Sequence, residues 1–254
     1  MLFTNSAFIG ISPNSGHKSF TYAALDKDLN LIALADGGMD DVTAFVAGQN
    51  SATVAVNSPA GLNRGLVRDS VKSKMLTPYQ IRRTELRLAE YELRERGIAV
   101  TKTPVSADLC SAGIQAGFEL YRKLEKIGFQ KYPEKDSTSQ VLETNSHACY
   151  CVMAGHVPLA RLSLEGRVQR QIILYERGLQ IKDPMDFFEE ITRYKLAKGI
   201  WPMELLYLSD QLDALAAAYT AWQTVHKKES ISVIGDLKEG IVVLPERELK
   251  EKYL

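Results

Sequence analysis

Three short apolar segments crowd into the first 35 residues, "AFIGIS" (7–12), "FTYAALD" (20–26) and "NLIALA" (30–35), and they are too brief and too closely spaced to be helices. They read as strands, with "DKD" as a tight turn between the last two, and so as a three-stranded antiparallel meander. "GGMDDVTAFVAGQN" follows as a short helix, with acidic residues near its start and Gly48 near its end, as the helix dipole and C-cap preferences favour. The continuous apolar run "ATVAVN" (52–57) then predicts a strand buried on both faces. A strand reached through a crossover helix lies parallel to an earlier one. The βββαβ opening therefore commits the chain to a mixed sheet.

After "SPAGLNRG" (58–65) the pattern turns helical. "PYQIRRTELRLAEYELRERG" (78–97) predicts a helix in which Leu86, Ala89 and Leu93 share one face and Arg83, Arg87 and Arg94 another, with Glu90 among them. A second helix spans about 107–127, "STSQVLETN" (137–145) predicts one more strand, and helical signals continue to about residue 226. The tail "SISVIGDLKEGIVVLP" (230–245) predicts a terminal hairpin. No long Pro, Gly or Ser tract divides the chain, so one domain over 1–254 is expected, with a helical insertion at about 60–130 and a helical part at about 147–226. This order matches an α/β, ribonuclease-H-like architecture: a mixed five-stranded sheet flanked by helices, with helical insertions and a C-terminal hairpin. In such folds carboxylates gather at strand ends, because two divalent ions need several anionic oxygens at close range.

The blocks "FIGISPNSG", "VAVNSP", "AEYELRERGI", "GFELYRKLEKIGF", "VLETNSHA", "LEGRVQRQIILYERGL", "DPMDFFEEITRYKL" and "LDALAAAYTAW" span almost the whole chain. Together they resemble an uncharacterised prokaryotic family of predicted ribonuclease-H-like nucleases, the domain of unknown function 429. The resemblance implies metal-dependent hydrolysis of nucleic acid, with Mg²⁺ or Mn²⁺ and no organic cofactor. It also implies an acidic site, which this chain meets only in part. Where the family has aspartates at the ends of the first and fourth strands, Ser12 and Asn57 stand here, while the family's glutamate and helix aspartate are present as Glu143 and Asp213, with Asp210 one turn earlier. Neutral oxygens attract a hard cation less strongly than carboxylates. The expectation is a depleted site that holds metal weakly and cleaves poorly or not at all, unless Asp210 or Asp108 is recruited. The alternative is a non-catalytic module that binds nucleic acid or protein.

Other motifs compete with that site. "GISPNSGHKS" looks superficially like a phosphate-binding loop, but His17 separates Gly16 from Lys18 and a strand follows where such a loop opens a helix. A rim turn carrying Ser12, or a plain hairpin turn, fits better. His147, four residues beyond Glu143, has a side chain that titrates near neutrality and is a candidate general acid or base, with a structural histidine as the alternative. His147, Cys149, Cys151 and His156 have no standard zinc spacing, and buried free thiols fit them better. Arg83, Arg87, Arg94, Arg167 and Arg170 are candidates for a phosphate-facing surface, although a solvated face laced with Glu85, Glu90 and Glu92 suits the helical arginines as well.

Charge narrows the partners little: 31 basic residues balance 31 acidic ones, so nucleic acid is implied by the resemblance and not by net charge. With no apolar run long enough for a membrane span and no signal-like N-terminus, a cytoplasmic location without a membrane partner is expected. Three cysteines without a CxxC pair fit a reducing compartment.

Overall fold

The computed structural model describes residues 6–13, 20–71, 84–134, 137–192 and 196–254. Strands β1 (Ala7–Pro13), β2 (Phe20–Leu25) and β3 (Leu31–Gly37) form the expected antiparallel meander. Helix α1 (Met39–Ala47) crosses over to β4 (Ala52–Val56), which lies parallel to β1. Asp41 accepts the Gly38 amide at 2.8 Å and so caps the start of α1. Further on come α2 (Leu66–Val71), α3 (Leu88–Glu95), α4 (Ala112–Lys126), β5 (Gln130–Lys131) and β6 (Ser139–Glu143). Helices α5 (Ser146–Ala154), α6 (Leu164–Glu176), α7 (Pro184–Glu190) and α8 (Ser209–His226) follow, and the hairpin β7 (Ser232–Asp236) and β8 (Gly240–Leu244) comes last.

All eight strands join one sheet in the order β3-β2-β1-β4-β6-β8-β7, with β5 alongside β6. The five strands expected from sequence undercount it. The terminal hairpin forms as expected, but β8 also docks parallel to β6, pairing Val242 with Glu143, and so lengthens the sheet. Local pattern reports a hairpin's own pairing and says nothing of the edge it meets. Two expected helices also shrink. The one expected over 78–97 is helical at Leu88–Glu95, and residues 72–83 lie outside the described residues. The one expected over 107–127 splits into a 3₁₀ turn at Ala107–Leu109 and α4, because Cys110 and Ser111 are extended.

Two apolar layers cover the sheet. Phe8, Ala23, Ala55 and Leu142 pack with α5 and α8 on one face, while Ile9, Ile11, Val54, Val56 and Val141 pack with α1 and α4 on the other. Alternation along each strand produces this division. Helix α8 is buried along most of its length and runs against β1, where its alanines permit close approach. A Cβ on Gly10 would come within 1.9 Å of the Ala214 carbonyl oxygen, so only glycine fits there. That contact holds the start of α8, with Asp213, at the C-terminal end of β1.

Candidate functional site

Ser12, Asn57, Glu143 and Asp213 reach the same end of the sheet but divide between its faces. Ser12 lies two residues after Gly10 and so shares the α8 face. Asn57 follows Val56 and alternates to that face as well, whereas Glu143 pairs with Val56 and belongs to the α4 face.

On the α8 face a chain of hydrogen bonds links the candidates. Asn57 Oδ1 accepts the Ser146 amide at 2.8 Å and its Nδ2 donates to Ser12 Oγ at 3.1 Å. The orientation is forced, because a backbone N–H only donates and the carbonyl end of Asn57 must face it. Ser146 Oγ donates to the Asp213 carbonyl oxygen at 2.8 Å. The Asp213 carboxylate, 8 % exposed, accepts Arg161 Nε at 2.8 Å and pairs with its Nη2 at 2.7 Å, and the same guanidinium also bonds Asp210. Burial pushes the Asp213 carboxyl up to about 6, with Arg161 opposing. Helix α8 begins at Ser209, whose hydroxyl donates to the Arg161 carbonyl oxygen at 2.9 Å. The extended Leu208 is the N-cap, so Asp213 sits in the second turn of the helix.

On the other face Glu143 is enclosed. Its Oε2 accepts the Ala60 amide at 2.8 Å and Arg87 Nη1 at 3.0 Å, while Oε1 accepts Arg87 Nη2. Arg87 Nε donates to Glu90 at 2.9 Å, and Thr103 also donates to Glu90. Arg87 is 2 % exposed. Burial acts to lower its pKa, but Glu143 and Glu90 outweigh burial and hold the guanidinium charged. Burial raises the Glu143 carboxyl against the pull of Arg87. The buried Tyr121 phenol beside it is raised well above its ordinary value by burial and then by the Glu143 charge.

A cavity of about 250 Å³ opens at these strand ends, lined by Asn57, Ser58, Arg87, Glu90, Glu143 and Asn145 among others. Neither Ser12 nor Asp213 lines it. Among the described residues no group of three or more His, Cys, Asp or Glu side chains is placed to hold a metal ion. The donor set agrees with that: each carboxylate expected to be a ligand already accepts a guanidinium. The residues present do not fit a two-metal centre.

The remaining candidates are dispersed. His147 does not line the cavity; its Nε2 lies 3.8 Å from Cys151 Sγ, and burial, then Arg170, lower its pKa. Cys149 contacts Thr144 and Thr220, and burial pushes its thiol up to about 11. Cys151 is pushed up to about 12 by burial, and His156 bonds Ala154 and Gln169 instead of either thiol. These are buried free thiols and not a zinc set. Asp108 is exposed on the 3₁₀ turn, bonded to Ser106, and does not line the cavity.

The described arginines expected on a phosphate-facing surface donate to the protein framework. Arg94 donates to the Val100 carbonyl oxygen, Arg167 to those of Tyr207 and Leu206, and buried Arg170 to those of Leu159 and Gly166. Arg83 lies outside the described residues, as do Gly16, His17 and Lys18. The phosphate-loop reading fails on its flanks, since β1 and β2 are antiparallel strands and no helix opens at Phe20.

Sequence reasoning missed Arg161, Ser146 and Glu239. Buried Glu239 accepts the Arg64, Leu66 and Leu88 amides at 2.8, 3.2 and 2.8 Å, and its carbonyl oxygen accepts Arg87 Nη1 at 2.9 Å. Asn145 was the readable one. An asparagine before "SHA" is an N-cap signal, and its Oδ1 accepts the Ala148 amide at 2.9 Å.

The sequence profile of one family, described as a protein of unknown function (DUF429), matches residues 20–239. The chain belongs to that family. No curated protein and no solved structure matches it significantly.

Proposed function

We propose that this chain is a ribonuclease-H-like protein that binds its partner without cleaving nucleic acid, its metal site closed by arginines. The order β3-β2-β1-β4-β6, with β2 antiparallel to its neighbours, supports the ribonuclease-H-like reading. One observation carries the rest: at both carboxylate positions kept from the family pattern a guanidinium stands where a cation would bind, Arg87 on both oxygens of Glu143 and Arg161 on Oδ2 of Asp213. Asn57 and Ser12 complete the closure by bonding one another. A Mg²⁺ or Mn²⁺ ion on Glu143 must displace Arg87, and one on Asp213 must share the carboxylate with Arg161. Arg87 cannot leave without stranding two buried carboxylates.

The test is incubation with single- and double-stranded DNA and RNA in Mg²⁺ and in Mn²⁺. No cleavage is expected from the chain as it stands, nor from Glu143→Gln. Turnover near about one per second or faster, abolished by Glu143→Gln in a variant that still folds, would establish a working nuclease in its place.

A further inference from the structure

A second concavity, of about 790 Å³, lies on the helical insertion and shares no lining residue with the strand-end cavity. Its wall comes from three loops that Asn63 ties together. The buried Asn63 side chain donates to the Glu85 carbonyl oxygen at 2.6 Å and accepts the Gly65 amide at 2.7 Å, and its own amide donates to the Pro104 carbonyl oxygen at 3.2 Å. Every polar group of Asn63 used here is spent on framework, so the groove is built rather than incidental. Gly65, at φ +80°, adds a steric condition: a Cβ there would stand 3.0 Å from Arg68 Nη2. The guanidinium of Arg68 lies against the bare glycine.

The chemistry of the lining is two-sided. Arg64 and Arg68 are exposed, and neither guanidinium has an ion-pair or hydrogen-bond partner among the described residues. Lys102 pairs with Glu85 at 2.7 Å, so the lining carries an excess of positive charge concentrated on the two arginines. Beside them stand Pro104, Val105 and Leu109, the last two 63 % and 67 % exposed. Arginine recognises carboxylate and phosphate equally well. The apolar side decides between them. A nucleic-acid strand seats its bases on aromatic rings, whereas the described lining presents the aliphatic Val105 and Leu109. Aliphatic surface next to exposed arginines fits aliphatic side chains next to carboxylates.

We propose that this groove docks an acidic, leucine- or valine-bearing segment of another protein, its carboxylates on Arg64 and Arg68 and its aliphatic side chains on Val105 and Leu109. The inference goes beyond the strand-end reading and stands even where that site proves catalytic.

Fluorescence anisotropy tests it with three labelled probes: a short peptide of glutamates and leucines, the same peptide with glutamine for glutamate, and an oligothymidylate of equal length. The acidic peptide should bind, more weakly at high salt, and the glutamine peptide should not. Arg64→Ala with Arg68→Ala should weaken binding on the order of tenfold or more, and Leu109→Ser should weaken it without changing its salt dependence. All these side chains are exposed, so each variant should keep the parent's melting temperature. Absence of peptide binding, or binding indifferent to both sets of substitutions, overturns the proposal. So does binding of the oligothymidylate, but not the peptide, in an Arg64- and Arg68-dependent way.

Discussion

Two arginines each hold two carboxylates at the same end of the sheet, and they differ mainly in how much water reaches them. Arg87, 2 % exposed, is locked between Glu143 and Glu90. Arg161, its side chain 38 % exposed, spans Asp213 and Asp210 from outside. The arithmetic of charge is the same in both, one positive against two negatives, yet the consequences diverge. Removing a buried cation strands its partners in low dielectric, whereas solvent screens a half-exposed one. The first clamp is therefore part of the framework, and the second is a cover over Asp213.

The sharpest way to break this contrast is to remove each arginine in turn. Arg87→Met should destabilise the fold by about 3–5 kcal/mol, read by urea denaturation. A cost no larger than that of Arg161→Met would mean that the two clamps are equivalent.

The pH dependence of Asp213 is the next largest effect. Its carboxyl is raised from 3.8 to about 6 in the folded chain, so at intermediate pH the folded state binds the proton more readily than the unfolded one. The contribution is fully present below the unfolded value and is lost as pH rises from about 4 to 6, up to about 3 kcal/mol. Asp213→Asn removes that titration. Denaturation at pH 4.5 and pH 7 should show the parent losing more stability over this interval than the variant, and identical slopes would contradict the assignment.

Arg161→Met should cost only about 1 kcal/mol, because Asp213 can take up a proton when its partner is lost. Its own signature is a further rise in the Asp213 titration, seen by carbon NMR of the carboxyl group. The smallest effect belongs to Asn57→Asp, under about 1 kcal/mol. An aspartate there still accepts from the Ser146 amide and accepts the Ser12 hydroxyl as well.

The sequence made the meander, the crossover to β4 and the terminal hairpin legible, since apolar period and turn residues are local properties. Glu143 and Asp213 were legible only through family blocks, because a single acid near a strand end carries no local mark. The clamps were not legible at all. Arg87 and Glu143 are 56 residues apart and Arg161 and Asp213 are 52 apart, so only the fold joins them. The arginine face failed for a more specific reason. Helical spacing assumed a helix from residue 78, but Arg87 is the extended N-cap of α3, with φ −65° and ψ 157°, and its side chain turns inward instead of standing in line with Arg94.

Calorimetric titration with Mn²⁺ near pH 8 tests most directly the claim that guanidinium groups stand where a cation would. The account predicts no saturable binding tighter than about 1 mM by the chain as it stands. It predicts a measurable gain when Arg161→Met is combined with Ser12→Asp and Asn57→Asp, since that variant uncovers one carboxylate and restores two. Submillimolar binding by the unaltered chain, lost in Glu143→Gln or in Asp213→Asn, would contradict it.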